Sequence, residues 1–137
     1  MKIIGFNFTK MSAERFKESA ENININTELE IPEIKEIKSP FLQTKEELLE
    51  ARFEYKVNYE PEMAKIIIEG KVLLSADKKT KEEVMKQWGK KKSLPEDFRM
   101  LLFNVVMKKS ALKALGLGDE LNLPVHVPLP TLRKDKA

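Results

Sequence analysis

From Asn22 to Ile31 the chain reads NININTELEI, and the two kinds of position alternate without a break. Ile23, Ile25, Thr27, Leu29 and Ile31 fall on one side, and Asn22, Asn24, Asn26, Glu28 and Glu30 on the other. A period of two over this length predicts a strand with one apolar face. Pro32 lacks an amide to donate, so the strand must end, bulge or lie at a sheet edge there. LEARFEYKVNY repeats the alternation over 49–59, with Leu49, Ala51, Phe53, Tyr55, Val57 and Tyr59 together. After the turn-forming EPEM comes AKIIIEGKVLLS, where Ala64, Ile66, Ile68, Val72 and Leu74 share a face. Its opposite face mixes Lys65, Glu69 and Lys71 with Ile67 and Leu73, so this strand is either covered on both sides or turned towards a partner. At the amino terminus Ile4, Phe6 and Phe8 predict a fourth strand. The two strands around EPEM should form a hairpin within an antiparallel sheet. The longest connection, KEIKSPFLQTK, carries Pro40, Phe41 and Leu42 and should lie over apolar surface.

Beyond Ser75 the period changes. Thr80 and Glu83 have the spacing of a capping box, which predicts a short helix through Val84, Met85 and Trp88 to about Gly89. Ser93 and Glu96 repeat that spacing, with Pro95 in the first turn, where its missing N–H costs nothing. Phe98, Leu101, Leu102, Val105, Val106, Leu112 and Leu115 then recur at three and four residues. They predict a long amphipathic helix that packs on the core and stops near Gly116 or Gly118. The expected fold is therefore α+β: a four-stranded antiparallel sheet followed by a short and a long C-terminal helix. No repeat or linker divides the 137 residues, and one domain spanning 1–137 is expected.

Composition narrows the chemistry. There are no cysteines, which removes disulfides and thiolate catalysis and leaves the cytoplasm as the default compartment. No leader or membrane-spanning run is visible, so no membrane insertion is expected. The abundance of Lys, Glu and Ile is a bias of thermophilic proteins. Basic residues exceed acidic ones by only 25 to 22, a net charge of +3. The densest basic run is Lys90, Lys91 and Lys92, and no nucleic-acid partner is expected from it. One histidine, His126, and no cysteine leave too few soft ligands for a zinc or iron site. The GLGD at 116–119 lacks the lysine of a phosphate cradle and reads as a helix stop. His126 is open to two readings, a general base or a structural side chain, and nothing near it in sequence orients it as a base. Glu28 and Glu30 sit on a wet strand face. No catalytic group, metal or cofactor is predicted, and the chain is not expected to be an enzyme.

The order of elements, together with the segment after the long helix, resembles the SecB family of export chaperones. Pro95 opens that helix, Gly116 and Gly118 stand near its end, and Leu121, Asn122, Leu123 and Pro124 follow. The likeness is one of pattern, runs from Lys2 to about Leu132, and suits a divergent member, of archaeal type. It implies a holdase that works without ATP, binds unfolded polypeptides along apolar grooves and serves export. It also implies a homo-oligomer, dimer or tetramer, with sheets joined at an edge and long helices packed between dimers. Two features depart from the family. The mildly basic balance speaks against docking to the SecA motor, which the family's acidic sheet face performs. The segment SADKKTKEEVMKQWGKKKS is longer and more charged than the family's usual connection.

These readings nominate client-binding residues. Leu121, Leu123, Val125 and Val127 belong to a proline-rich arm that either fills a groove beside the long helix or walls a client groove. Phe41 and Leu42, the outer-face pair Ile67 and Leu73, and Trp88 complete the set. Each has a plainer reading: a plug at the sheet edge, a subunit interface, or helix–sheet core. The competing account of the whole chain is a structural or adaptor protein of the same fold with no client groove.

Overall fold

The computed structural model describes residues 1–18, 22–38 and 47–130. Four long strands, β1 (Lys2–Arg15), β2 (Asn24–Ile37), β3 (Glu47–Glu60) and β4 (Ala64–Ala76), form one sheet. Its order is β1-β4-β3-β2, with every neighbouring pair antiparallel. This is a Greek-key order, in which β2, β3 and β4 follow one another and β1 returns beside β4. β1 ends opposite the start of β4, and β2 begins opposite the end of β3. Both ends of their connection therefore stand at the tip of the β3–β4 hairpin. There the Phe16 amide donates to the Met63 carbonyl at 2.7 Å.

Alternation in β3 and β4 places Leu49, Phe53, Tyr55, Val57, Ile66, Ile68, Val72 and Leu74 on one face, where all are buried beneath the helices. Phe53 lies across Gly70, and the rings of Phe6 and Phe8 stand 5.1 and 6.2 Å from it. The two edge strands each shift phase. In β2 the ladder slips between Glu30 and Glu33, around Pro32, so Pro32 lies both at a bulge and at an edge, and the strand continues beyond it. The slip moves the inward set from odd to even positions and makes Ile34 core. In β1 a slip between Ile3 and Gly5 leaves Ile4 exposed and brings Ile3 to the face of Phe6 and Phe8. The expected grouping of Ile4 with those phenylalanines is therefore corrected: strict alternation ignores the extra residue of a bulge.

Two helices, α1 (Lys78–Lys91) and α2 (Glu96–Glu120), cover the inner face. Their ends differ from the sequence expectation. The cap of α1 is Asp77, whose carboxylate accepts from the Thr80 amide at 2.7 Å, and the helix passes through Gly89. The box expected at Ser93 does not form. Ser93 Oγ accepts instead from Gln87 Nε2, and Pro95 itself stands at the cap of α2. α2 runs through both glycines expected to end it. Its buried residues are Phe98, Leu102, Val106, Ser110, Ala114 and Gly118, one every four positions. Such a row turns about 40° per step around a helix of 3.6 residues per turn. The burial line therefore winds around α2 and leaves other apolar residues outside it. Leu101 and Leu112, expected in the core stripe, are 36% and 62% exposed, beside Met100 and Met107.

Candidate functional site

Two places on the helix face draw attention, at opposite ends of α2. The first is a groove of about 450 Å³ where α1 meets α2 against the edge strand β2. Ile31, Trp88, Leu94 and Phe103 form its apolar floor, and Lys92, Arg99 and Glu96 stand on its rim. Each comes from a different local cause. Ile31 ends the odd-numbered set within the β2 bulge. Trp88 is the inward residue of the last turns of α1, one helical turn after Val84. Lys92 closes α1 in a left-handed conformation, φ 50°, with its amide donating to the Trp88 carbonyl at 3.0 Å and its ammonium 5.2 Å from the Trp88 ring. Phe103 lies one turn after Arg99 on a flank of α2, outside the buried row. Sequence reasoning found Trp88 and missed the other three apolar residues. Phe103 was discoverable, because Met100, Phe103 and Met107 form a second apolar line at helical spacing.

The second place is the carboxy-terminal end of α2. Leu121, Asn122 and Leu123 there form a complete helix stop. Asn122 adopts φ 54°. The Asn122 amide donates to the Asp119 carbonyl at 3.1 Å and the Leu123 amide to the Gly118 carbonyl at 2.8 Å. These are the two reverse bonds of a Schellman motif, with asparagine at its left-handed position and a buried leucine after it. Gly118 packs over the hairpin, and a Cβ there would stand in ordinary contact, 3.7 to 3.8 Å from Ile66, Tyr59 and Leu123. Arg15 reaches from β1 to donate to the carbonyls of Leu121 and Asn122 at 2.8 and 3.1 Å, a cation at the negative end of the helix. Asn122→Gly should leave stability unchanged or slightly raised. Asn122→Val should lower it by about 1–2 kcal/mol, the cost of the left-handed region for a residue with Cβ; urea melting of both variants checks the sign.

The arm then lies on β3. Tyr59 Oη donates to the Pro124 carbonyl at 2.8 Å, and Tyr55 Oη is hydrogen-bonded to His126 Nε2 at 2.8 Å. The other imidazole nitrogen, Nδ1, is buried without a partner among the described residues. Burial pushes the His126 pKa below its ordinary value, and burial likewise raises those of Tyr55 and Tyr59. The folded chain therefore holds a neutral imidazole. As pH falls through about 6.5 the unfolded chain gains a proton that the folded arm resists, so the arm's hold weakens on acidification. His126 is the single histidine, and proton NMR should titrate its ring with a midpoint below 6.5; a midpoint at or above that value would place the ring in water. Thr27 also hydrogen-bonds Tyr55, but among the described residues no group orients the free His126 Nδ1 as a base relay would, and no set of three His, Asp or Glu side chains is arranged to hold a metal ion.

The nominated residues are thus dispersed. Leu123 is buried and Leu121 partly so, both against the core, while Val127 is half-buried and Val125 is 51% exposed. Ile67 and Leu73 lie on the outer sheet face, partly buried, with Glu69 and Lys71 between them. Six residue steps along the strand separate them by roughly 20 Å. That face is otherwise laced with charge, including Arg52 with Glu33 at 3.3 Å and Lys35 with Glu50 at 3.6 Å. Phe41 and Leu42 fall outside the described residues. Of the nominated residues that are described, Trp88 alone lines the groove.

With the fold in view, the comparisons with known proteins become informative. No protein-family model matches the chain, and no curated protein is significantly similar in sequence. Among solved structures it superposes on the Mycobacterium tuberculosis SecB-like chaperone Rv1957, solved in complex with a ChAD peptide from the Rv1956 HigA1 antitoxin. The TM-score is 0.54 and the identity 14%, over 98% of this chain and 91% of that one. The fold is therefore that of a SecB-like protein, with a four-stranded antiparallel sheet and two C-terminal helices. Among the described residues no helix is long and apolar enough to cross a membrane.

Proposed function

We propose that this protein is a nucleotide-independent holdase that binds unfolded polypeptide segments in the groove at the α1–α2 joint. The observation that carries this reading is the apolar surface the chain leaves uncovered. The groove floor joins β2, at the edge of the sheet, so an extended segment has both a slot for its side chains and, beside it, a backbone edge unpaired among the described residues. Leu101, Met107, Leu112, Val125 and Leu129 stand outside the core besides. A holdase needs apolar area and solubilising charge, and needs no reactive group. Its partners are unfolded clients in the cytoplasm, and export is one use of such capture.

The outer strip of α2 supports self-association. Leu101, Val105, Leu112 and Leu115 recur at the four- and three-residue spacing of a packed helix seam, interrupted by Lys108. A dimer or tetramer joined along this strip leaves the groove at the α1–α2 joint. Leu101→Lys with Leu112→Lys should break the assembly in multi-angle light scattering while moving stability by no more than about 0.5 kcal/mol, since both side chains are exposed. The deciding experiment for the function is light scattering of a denatured client diluted into buffer with and without the pure protein and without nucleotide. Suppressed aggregation, with binding to the denatured but not the native client, is expected. Equal behaviour with and without the protein returns the chain to the structural or adaptor reading.

A further inference from the structure

The groove carries a charge of its own. Lys92 and Arg99 stand on its rim above the floor formed by Trp88 and Phe103. Neither cation pairs with a carboxylate among the described residues; Lys92 instead lies over the Trp88 ring. A second groove, of about 540 Å³, adjoins the same helix joint and adds Lys86, Lys90 and Lys91. Glu96 and Glu83 are the acids lining the two grooves. Of the acids of the nearby edge strand, Glu36 lies on the inner face, where Lys81 of α1 holds it at 2.8 Å. Glu28, Glu30 and Glu33 pair in register with Lys56, Glu54 and Arg52, which places them on the opposite, outer face of the sheet. The fold thus leaves paired charges of both signs on the outer sheet face and a basic lip around an apolar slot.

We infer that the groove selects acidic apolar segments: extended unfolded peptide in which aspartate or glutamate flanks leucine or an aromatic residue. This rests on the holdase reading and adds a choice of client to it. The apolar side chains enter between Ile31, Trp88 and Phe103, and the flanking carboxylates meet Lys92 and Arg99. Uncommitted cations beside a low-dielectric surface attract carboxylates more strongly than the same charges in open water. They repel lysine-rich clients, so the choice comes from both signs.

Trp88 is the only tryptophan and sits in the groove, so its fluorescence reads occupancy directly. Three fluorescein-labelled peptides should be titrated, identical in their leucines and phenylalanine, with the intervening positions all Glu, all Gln or all Lys. The Glu peptide should bind about tenfold more tightly than the Lys peptide in low salt, with the gap closing at high ionic strength. K92E with R99E should invert the order, and K92Q with R99Q should level it. Equal affinities for the three peptides, a preference for Lys, or an order that survives K92E/R99E would overturn the charge selection while leaving the holdase reading intact. Binding by none of the three, while a denatured client is still held, would place capture outside this groove and overturn the inference. Failure with the denatured client as well would remove the holdase reading too. A Trp88 shift that depends on protein concentration alone would assign the groove to a second copy of the chain and also overturn the inference.

Discussion

Gly70→Ala should cost the fold about 3 kcal/mol, the upper end of what overpacking a tight site costs, seen as a drop of roughly 10 °C in melting temperature for a chain of this size. The cause is local. A Cβ at Gly70 would lie 2.4 Å from the Asn7 carbonyl oxygen and 2.5 Å from Phe53 Cζ. The ring would have to leave its place against Phe6 and Phe8, and the backbone oxygen belongs to the β1–β4 ladder and cannot swing aside. Native-state hydrogen exchange should also show the loss concentrated in β1, whose amides should exchange faster than those of β3. Gly116→Ala is the matched control. Nothing lies within 4 Å of a Cβ there, and a helix gains up to about 1 kcal/mol when glycine becomes alanine. The two substitutions are chemically identical and should move stability in opposite directions. A Gly70→Ala protein as stable as the parent would mean that the aromatic cluster is packed differently.

Phe103→Ala should weaken capture of a denatured client by about thirtyfold, the scale of truncating an aromatic anchor at roughly 2 kcal/mol. Phe103 is half-buried, stands outside the buried row of α2 and supplies much of the groove floor. Its removal opens the slot beside Ile31 and Leu94 while Phe98, Leu102 and Val106 keep α2 seated. Leu73→Ala, on the outer sheet face, is the comparison. It should leave capture unchanged, because Leu73 is far from the groove and is flanked by charge. Anisotropy of a labelled unfolded client, read beside the melting curve of each variant, separates lost binding from lost fold. If Leu73→Ala weakens capture and Phe103→Ala does not, clients bind on the outer face.

The contrast between elements that were legible in the sequence and those that were not has a physical basis. β3 was legible from Leu49 to Tyr59 because a central strand with one buried face needs strict alternation. The edge strands were less so. A bulge costs an edge strand little, and one extra residue at Ile4 or around Pro32 inverts the pattern beyond it. Both helices were expected, yet all four of their ends shifted by a few residues. A cap is chosen among Ser, Thr, Asp and Gly by where the chain must turn, so Asp77 prevailed over Thr80. Gly118 looked like a stop, and in fact lies inside α2, over Tyr59 and Ile66. The segment Leu121, Asn122 and Leu123 supported the family resemblance before its role as a helix stop was visible.

The groove was the least legible feature. Its floor draws Ile31, Trp88, Leu94 and Phe103 from a strand, a helix, a joint and a second helix, and no spacing in the chain relates them. Its charge was hidden for the same reason: a net of +3 says nothing about which faces carry which sign. The sequence by itself determined the elements, the antiparallel character of the sheet and the absence of thiol chemistry, because periodicity and residue type are local properties. Only the tertiary structure decided the strand order, the outward strip of α2 and the basic lip over an apolar slot, because those depend on which residues distant in the chain are brought side by side.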